Sequence, residues 1–439
     1  MRSAFLLAFV SVALGSVAAC AASGDEPARP PALEDSDAGL PVTDAGDHEA
    51  DAESDAPAPL LPTCTDSGFC TTSLPDADLM FKDIWPLPGR AFAVAESKTL
   101  GVKVLEWEDA TGAWKYIDDD SQNEPGFGDH VGRMWAPDEN EVYFTVSPGT
   151  LYHGVREAPS KPFAWTRHQF EDHSPDQDPT HEHGHPLYRN QTFYTTQLRY
   201  PSLGVWGFGR DDVYAWYANT IYHWTSVDGG PPEWTAEYTA TDVDSADEHL
   251  YVVAAAGLDR DDVWFSLARD STSLQSACSA IVRKTASGYE RIADGIVGMF
   301  RMCRPRDGYA SIGGTNGWLT DLQAQGSNQL VGLKGARDVV RITVSENDVA
   351  IATKPVPYDL TIDSTPLTSL WSAPDERLWV SGWGAVGHGA DTWDGGSFQL
   401  ATISLNGAPL NRPMYQVRGT SSSNVWAIGV RYAFHKTTP

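Results

Sequence analysis

The sequence predicts an all-β fold, a β-propeller that follows a long N-terminal segment. A motif centred on an aromatic turn recurs along the chain, and most copies are spaced as four-stranded propeller blades are. Each copy joins a short apolar stretch to a second one, rich in Val, Trp and Tyr, across a polar turn. This pattern predicts two strands and a tight connection, and almost no stretch has a helical period. A blade cannot bury both of its faces alone, so neighbouring blades must stack around an axis.

The copies can be aligned on one position each, and the intervals give the blade count. These positions are Trp85, Trp135, Trp206, Gly257, Cys303, Trp371 and Arg418. Four of the intervals are close to the range of about 40 to 50 residues expected for a blade. The longest interval contains an insertion at about 171–198, and the other long one contains a degraded copy at 339–354. We therefore predict seven blades, or eight if the degraded copy is itself a blade.

The end of the chain predicts how the ring closes. Too few residues follow Arg418 to complete a last blade, so we expect a strand near residues 70–80 to complete it. A loop between Cys64 and Cys70 would fix the start of that strand.

The N-terminus has the features of a secretory signal. Arg2 precedes an apolar run at 4–14, and small residues lead to Cys20, so residues 1–19 are predicted to be a signal peptide. VAAC at 17–20 resembles the bacterial lipobox, which implies that Cys20 carries a lipid. No Asp follows the cysteine, and the resemblance then implies the outer membrane, on its periplasmic or its outer side.

Residues 20–62 are predicted to be a disordered acidic tether. After Cys20 they hold eleven Asp and Glu against Arg29 alone, seven Pro and no aromatic residue. Such a segment buries too little apolar surface to offset the entropy of ordering it. Residues 63–439 form the predicted propeller domain.

Four further cysteines fit an exported protein. Cys64, Cys70, Cys278 and Cys303 allow three disulfide pairings, and proximity in sequence favours Cys64 with Cys70 and Cys278 with Cys303.

The charge excludes one class of partner. Residues 63–439 hold 29 Lys and Arg against 48 Asp and Glu, a formal charge of −19. Because phosphate binding needs a basic surface, we expect no nucleic-acid partner.

The repeats themselves resemble a known group. DDVY at 211–214, DDVW at 261–264 and NVWAIG at 424–429 resemble the Asp-Val-Trp-Ala-x-Gly repeats of secreted bacterial β-propeller lipoproteins. The resemblance covers about residues 63–439 and implies the propeller architecture. It implies no catalytic residue, because that family is largely uncharacterised.

The tryptophans have two interpretations. Those inside the repeats are predicted to fill the space between blades. Candidates for a sugar-stacking platform would lie in loops: Trp165, Trp224, Trp234 and Trp383.

The insertion contains a candidate metal site. HEHGH at 181–185 matches the zinc-protease pattern, but Gly184, Pro186 and flanks without an apolar period argue against the helix which that chemistry needs. On an extended strand, alternate residues project to one side and could bind zinc, copper or nickel. These residues are His181, His183 and His185.

A second candidate is an acidic stretch at 118–129. Its positions resemble a calcium loop, although Asn stands where that loop needs Gly and no helices flank it. The candidate calcium ligands are Asp118, Asp120, Gln122, Glu124 and Asp129.

Three hypotheses of function remain open. The first is a membrane-anchored, non-enzymatic binding or scaffold propeller for an envelope or extracellular protein or glycan. The second is an extracellular polysaccharide hydrolase or lyase, since propellers can assemble active sites from distant loops. The third is metal capture by the His-rich insertion.

Overall fold

The computed structural model describes residues 63–437 apart from internal gaps, and all described residues belong to one compact unit that spans 60–439. The gaps are 66, 127–129, 175–188, 191–198, 201, 227–229, 272–273, 275, 300–301, 346–347, 357–365, 390–392, 394–395 and 406–407. The signal peptide, Cys20 and the tether therefore lie outside the described residues.

The fold is a seven-bladed β-propeller, as the sequence predicted, and each blade is a four-stranded antiparallel sheet. The first blade comprises Met80–Leu87, Arg90–Ser97, Gly101–Glu108 and Ala113–Tyr116. The second comprises Val131–Asp138, Glu141–Val146, Thr150–Val155 and Ala164–Gln169. The third comprises Leu203–Gly209, Asp212–Tyr217, Thr220–Ser226 and Pro232–Thr239. The fourth comprises Glu248–Asp259, Asp262–Ser271, Ser276–Thr285 and Gly288–Ala293.

The remaining blades include the one that closes the ring. The fifth blade comprises Gln323–Ala324, Gln329–Lys334, Asp338–Val344 and Val349–Pro355. The sixth comprises Ser369–Ser372, Leu378–Ser381, Ala385–Gly389 and Phe398–Thr402. The seventh comprises Met414–Ser421, Asn424–Gly429, Tyr432–Lys436 and, from the other end of the domain, Phe69–Thr71.

Among the described residues, the short elements outside the blades include three hairpins and one turn of 3₁₀ helix, Ser121–Asn123. The hairpins are Arg189–Asn190 with Arg199–Tyr200, Gly295–Gly298 with Met302–Pro305, and Ser404–Leu405 with Ala408–Pro409.

The strand that completes the seventh blade is Phe69–Thr71, at the start of the range 70–80 near which the sequence predicted it. Phe69 pairs with Lys436 and Thr71 pairs with Phe434, and the Cys64–Cys70 disulfide closes the turn just before this pairing. The first strand of each blade contacts the first strands of both neighbours, and the seventh contacts the first, so these strands line the axis.

One repeat in the sequence was assigned wrongly. The copy at 301–313 does not begin a blade, because among the described strands Met302–Pro305 pairs only with Gly295–Gly298, in a hairpin between the fourth and fifth blades. The degraded copy at 339–354 instead lies in the third and fourth strands of the fifth blade. Both stretches alternate apolar and polar residues around a turn, and that pattern cannot distinguish a blade from a separate hairpin. The two errors cancel, and the count is seven.

The core consists of the interfaces between blades. Seven apolar clusters each join side chains of two adjacent blades around the ring. At the closure, Trp426 of the seventh blade lies edge-on to Trp107 and Trp114 of the first, with ring centroids 5.4 and 5.3 Å apart. The tryptophans within the repeats thus pack between blades, as predicted.

The packing around Gly257 explains why the fourth repeat has no aromatic residue at this position. A Cβ atom at this position would collide with the Phe208 ring and approach Trp206 to 2.7 Å. The rings of the third blade therefore occupy the space that a tryptophan fills in other repeats.

The connections between blades all lie on one face of the ring. Four antiparallel strands alternate in direction, so each blade begins and ends at the same face, where the turn between its second and third strands also lies. We call this the connection face; its described parts include 72–79, 98–100, 117–126, 170–174, 240–247, 294–318, 382–384 and 408–413. The opposite face, which we call the turn face, carries turns such as 210–211 and 260–261.

Candidate functional site: repeat triads, axial cluster and connection face

The repeat motif marks a side-chain triad within the blade. In the third blade Asp212 begins the second strand, Tyr214 follows two residues later, and His223 lies directly opposite Tyr214 on the third strand. The two rings stack with centroids 4.1 Å apart, and His223 Nε2 lies 3.0 Å from Asp212 Oδ1. Alternate residues of a strand and directly paired residues share one side of a sheet, so the three side chains meet there. The triad joins the second strand to the third.

The same triad recurs with different residues in three other blades. Its members are Glu141, Tyr143 and His153 in the second blade, Asp262, Trp264 and Arg283 in the fourth, and Asn424, Trp426 and His435 in the seventh. The basic or imidazole group lies over the aromatic ring in each, at 4.2, 4.9 and 3.9 Å. These groups pack within the blades and join the second strand of each to the third.

The third member of the triad was missed in the sequence. In three repeats a His follows the aromatic residue by nine or ten positions: His153 after Tyr143, His223 after Tyr214 and His435 after Trp426. That spacing was the available signal, since it is the length of a tight antiparallel hairpin.

The pKa of the triad histidine is shifted in opposite directions in the third and seventh blades. Burial alone would lower the pKa of His223, but its hydrogen bonds with Asp212 and Glu237 outweigh burial and raise that pKa. His435 faces the neutral amide of Asn424, and burial lowers its pKa to about 4.

Four charged residues from four blades meet near the axis, and we call them the axial cluster: Asp83, Arg133, Asp321 and Arg418. Arg133 Nη2 lies 2.9 Å from Asp321 Oδ1, and Arg133 and Arg418 each approach Asp83 Oδ1 to 3.6 Å. Burial raises the pKa of Asp321 and lowers the pKa of Arg418. Backbone amides of Met134 and Leu370 donate to the two carboxylates. The cluster thus links the first, second, fifth and seventh blades across the axis.

A second ionic network lies under the hairpin at 295–305. Arg269 is fully buried and holds Asp294 with two hydrogen bonds of 3.0 and 2.8 Å, and it also contacts Glu248. Arg306, from the segment that follows the hairpin, lies 3.2 Å from Asp294 and also contacts Asp244. These contacts join the two connections on either side of the fourth blade.

Both favoured disulfides are present. Cys64 is bonded to Cys70, and Cys278 of the fourth blade is bonded to Cys303 of the hairpin. Gly295 packs directly on the second disulfide, where a Cβ atom would collide with Cys303 Sγ.

Some of the candidate metal ligands lie outside the described residues, and the others contact protein groups. His181, His183 and His185 lie outside the described residues, as does Asp129. Of the calcium candidates, Asp118 and Asp120 both contact the Lys103 ammonium, and the hydrogen bond from Lys103 lowers the pKa of Asp120.

The other two calcium candidates are also engaged by protein groups. Glu124 pairs with Arg167 at 3.2 Å, and the Gln122 amide donates to the Val102 carbonyl at 2.8 Å. Within the described residues, no group of three or more His, Cys, Asp or Glu is arranged to hold a metal ion.

The loop tryptophans separate into packed and exposed ones. Trp165 donates to the Ile117 carbonyl at 3.1 Å and lies edge-on to Phe144. Trp224 and Trp234 pack against each other at 5.4 Å on the outer strands of the third blade. Trp383 is 40% exposed in a turn on the connection face, where its indole donates to Asn411.

The exposed large apolar side chains concentrate on the connection face. Six described residues of this kind are exposed, and Val155 alone among them ends a strand at the turn face. The other five belong to the connection face: Leu100, Met299, Met302, Tyr309 and Trp383. Met299 and Met302 are the most exposed, at 60% and 53%.

In the described part of the chain, no helix is long and apolar enough to cross a membrane.

Comparison with known proteins defines the class of the fold. No family model matches the chain, and no curated protein does. Among solved structures, that of U3-55K aligns with a TM-score of 0.50 and 10% identity over 85% of this chain and 99% of its own. The WD40 beta propeller domain of Doa1 aligns at 0.47 with 11% identity over 84% and 96%, and YCF48 from Cyanidioschyzon merolae aligns at 0.48 with 12% identity over 85% and 99%. These similarities concern the fold alone. The chain is a seven-bladed β-propeller.

Proposed function

We propose that this protein is a membrane-anchored, non-enzymatic binding or scaffold propeller that presents its connection face to a protein or glycan partner in the envelope or outside the cell. One observation carries the proposal: among the described residues, five of the six exposed large apolar side chains lie on that face. Met299 and Met302 are neighbours there, since Met302 pairs with Gly298, and exposed apolar side chains that lie together are typical of an interaction surface. The β-propeller fold is consistent with such a role.

The two carboxylates of the axial cluster are engaged in ion pairs. Most glycoside hydrolases use a pair of carboxyl groups placed on either side of the bond that is broken. Asp83 and Asp321 instead face Arg133 and Arg418, and they accept backbone hydrogen bonds with their other oxygens. These carboxylates are engaged in holding blades together.

The anchoring part of the proposal rests on the sequence. An apolar leader ends in small residues before Cys20, and an acidic segment rich in proline separates this cysteine from the propeller. A lipid on Cys20 would fix the protein to the outer membrane.

A paired assay tests binding against catalysis. The purified protein is incubated with a panel of envelope and environmental glycans, and bound glycan and released products are measured in the same samples. Binding without product release supports the proposal, as does a protein ligand with no turnover. Hydrolytic or eliminative release of products would replace it with the hydrolase or lyase alternative, for which the exposed Trp383 is the favouring observation.

A labelling experiment tests the anchor. Cells that make the protein are grown with labelled palmitate, beside cells that make a Cys20→Ala variant. We expect label in the wild type and release of the variant from the membrane fraction. Equal membrane retention of an unlabelled wild type would refute lipidation.

Metal capture is a separate proposal carried by the alternating histidines at 181, 183 and 185. Calorimetric titration with zinc, copper and nickel compares the wild type with a variant in which His181, His183 and His185 are changed to Ala. Tight binding that the variant lacks would support metal capture, and absence of binding would remove it.

A further inference from the structure

We propose that the connection face binds an anionic glycan, whose sugars carry carboxylate or sulfate groups, at a patch formed by one exposed indole and three exposed cations. We call it the glycan patch, and its residues are Lys98, Trp383, Arg412 and Arg431. This inference rests on the proposed binding function and names the chemical class of its ligand. All four residues and the segments that carry them belong to the part of the chain that the structure describes.

The turn that carries Trp383 is fixed by contacts with the connection to the seventh blade. Gly384 has a φ of +65°, and a Cβ atom there would lie 1.8 Å from the Leu410 carbonyl oxygen, so this turn requires glycine. The Gly384 N–H donates to the Arg412 carbonyl at 2.8 Å, and the Trp383 indole N–H donates to Asn411. The indole is thus held at its polar edge while 40% of the side chain stays exposed. The C–H groups of a sugar ring pack well against such an indole, because the face of an aromatic ring carries partial negative charge.

Arg412 and Arg431 lie beside this turn. Pro413, which follows Arg412, forms an isolated β-bridge with Trp383, and its carbonyl accepts the Val430 N–H at 3.3 Å. Arg431 follows Val430 in the turn between the second and third strands of the seventh blade. One backbone hydrogen bond therefore connects the two segments that carry the arginines. A guanidinium forms paired, charge-assisted hydrogen bonds with an oxyanion such as a carboxylate.

Lys98 continues the patch onto the first blade. The Arg431 N–H donates to the Leu79 carbonyl at 2.9 Å. Asp78, the residue before Leu79, accepts hydrogen bonds from the Thr99 N–H and hydroxyl at 3.2 and 3.0 Å. Lys98 lies next to Thr99, in the turn between the second and third strands of the first blade. The patch therefore forms one arc over the sixth, seventh and first blades.

The cations of the patch are not neutralised by carboxylates of the protein. Within the described part of the chain, six exposed Lys and Arg side chains form no ion pair, and five of the six lie on the connection face. They are Lys98, Arg304, Arg337, Arg412 and Arg431 on that face and Lys161 at the turn face. By contrast, Arg210 and Arg260 of the turn face are paired with Asp138 and Asp212. Cations that are available to a ligand thus concentrate on the face that also carries Trp383.

The acidic residues in the connection beside the patch accept hydrogen bonds from the protein. Asp78 accepts one from the Ser97 hydroxyl at 2.8 Å, in addition to those from Thr99, and the Tyr116 hydroxyl donates to Asp76. The three cations against these two acids give a local formal charge of +1, in a domain that carries −19. Because most of the surface repels a polyanion, its attraction is confined to a local patch of this kind.

The combination of groups selects the class of ligand. A neutral glycan would contact the indole but would make no use of the cations. An acidic peptide would pair with the cations but has no sugar ring to place on the indole. An anionic glycan uses both, since its rings pack on Trp383 while its charged groups pair with the guanidiniums.

Titration calorimetry with matched oligosaccharides tests the ligand class. The full-length protein, purified in detergent, is titrated with oligogalacturonate and with its methyl ester, which has the same sugar rings without the charge. Dextran sulfate and dextran form a second pair of this kind. We expect binding of at least one polyanion, at least about tenfold weaker binding of its neutral counterpart, and an affinity that falls as the salt concentration rises.

Variants of the patch test the site. Trp383→Ala and an Arg412→Gln, Arg431→Gln double variant should each bind the polyanion at least about tenfold more weakly, because the first loses the ring and the second loses charge-assisted hydrogen bonds. Trp383→Phe keeps an aromatic ring and should retain most of the affinity. Lys161→Gln is the matched control, since it removes an exposed, unpaired cation from the turn face, and it should leave the affinity unchanged. Unchanged thermal unfolding would show that each variant is folded.

Other outcomes overturn the inference in distinguishable ways. Equal binding of charged and neutral glycans would refute the need for anionic groups, and an equal loss in Lys161→Gln would refute the patch; both results leave the proposed binding function standing. Binding of neither polyanion refutes the inference, and capture of phosphatidylglycerol vesicles that the double variant loses would then assign the patch to a lipid surface. Release of products from the oligosaccharides would remove both this inference and the proposed binding function.

Discussion

His435 allows a direct test of how burial of a triad histidine affects the stability of the protein, because its protonation is coupled to folding. It lies 6% exposed, stacked on Trp426, and its Nε2 shares a hydrogen bond with the Asn424 side-chain oxygen at 2.8 Å. Burial lowers its pKa from the ordinary value of 6.5 to about 4. Acidification protonates the unfolded chain first and therefore favours unfolding.

The magnitude follows from the two pKa values. Above pH 6.5 the histidine is neutral in both states and does not affect the pH dependence. Below 6.5 only the unfolded chain binds the proton, and each pH unit costs about 1.4 kcal/mol of stability. Between pH 6.5 and 4, a span of about 2.5 pH units, the total loss is about 3 kcal/mol.

The assay compares the wild type with a His435→Gln variant, since glutamine can donate to Asn424 and does not titrate. The free energy of unfolding is measured by urea denaturation at a series of pH values from 7.5 to 4. Other titrating groups contribute equally to both proteins, so the difference isolates His435. We expect the stability of the wild type relative to the variant to fall by about 3 kcal/mol across this range. A difference that is independent of pH would refute the reasoning.

His223 is the matched control, because its pKa is shifted in the opposite direction from that of His435. Its pKa is raised by Asp212 and Glu237, so its contribution is fully present below the unfolded value of 6.5 and is lost as the pH rises through the folded pKa. A His223→Gln variant should therefore become relatively less stable than the wild type on acidification, whereas His435→Gln becomes relatively more stable.

Three further predictions concern the network, the second disulfide and the triad itself. Changing the buried Arg269 to Met should cost roughly 3 to 5 kcal/mol in urea denaturation, because Asp294 and Glu248 lose a buried partner. Changing Arg377 to Met, whose ion pair with Asp375 is exposed on both sides, should cost less than about 1 kcal/mol, and equal losses would contradict the burial argument. Replacing Cys278 and Cys303 by Ala should cost about 3.5 kcal/mol, as loop-closure entropy for a separation of 25 residues indicates, and an unchanged unfolding midpoint would disprove it. Asn424→Asp should raise the pKa of His435 measured by NMR, since a carboxylate favours the imidazolium; an unchanged or lower pKa would show that burial alone governs this site.

The architecture could be predicted from the sequence because the patterns that define it are local. An apolar stretch, a polar turn and a second apolar stretch define a hairpin in almost any context, and their spacing predicted seven blades. The disulfides were also accessible, since Cys64 and Cys70 are separated by 6 residues and Cys278 and Cys303 by 25. The copy at Cys303 shows the limit, because a local pattern marks a hairpin but not which sheet the hairpin joins.

The candidate surface was harder to predict from the sequence, because the exposure of its residues depends on contacts with residues distant in sequence. Trp224 and Trp383 both lie in apparent loops of the sequence, yet one packs in a blade and the other is exposed. Exposure depends on which neighbouring element covers a ring, and that neighbour can come from anywhere in the chain. Met299 and Met302 gave no signal for the same reason, since exposed methionines have no distinctive local sequence.

The sequence by itself determined the repeat, its period, the strand alternation, the charge of −19 and the chemistry available in the insertion and at Cys20. Only the tertiary structure decided which residues meet across blades: the axial cluster joins Asp83 to Arg418, and the closing strand at Phe69 pairs with Lys436. Local patterns arise from backbone geometry and side-chain alternation within a few residues. Ring closure instead brings together residues more than 300 positions apart, and their proximity follows from the packing of seven blades around one axis.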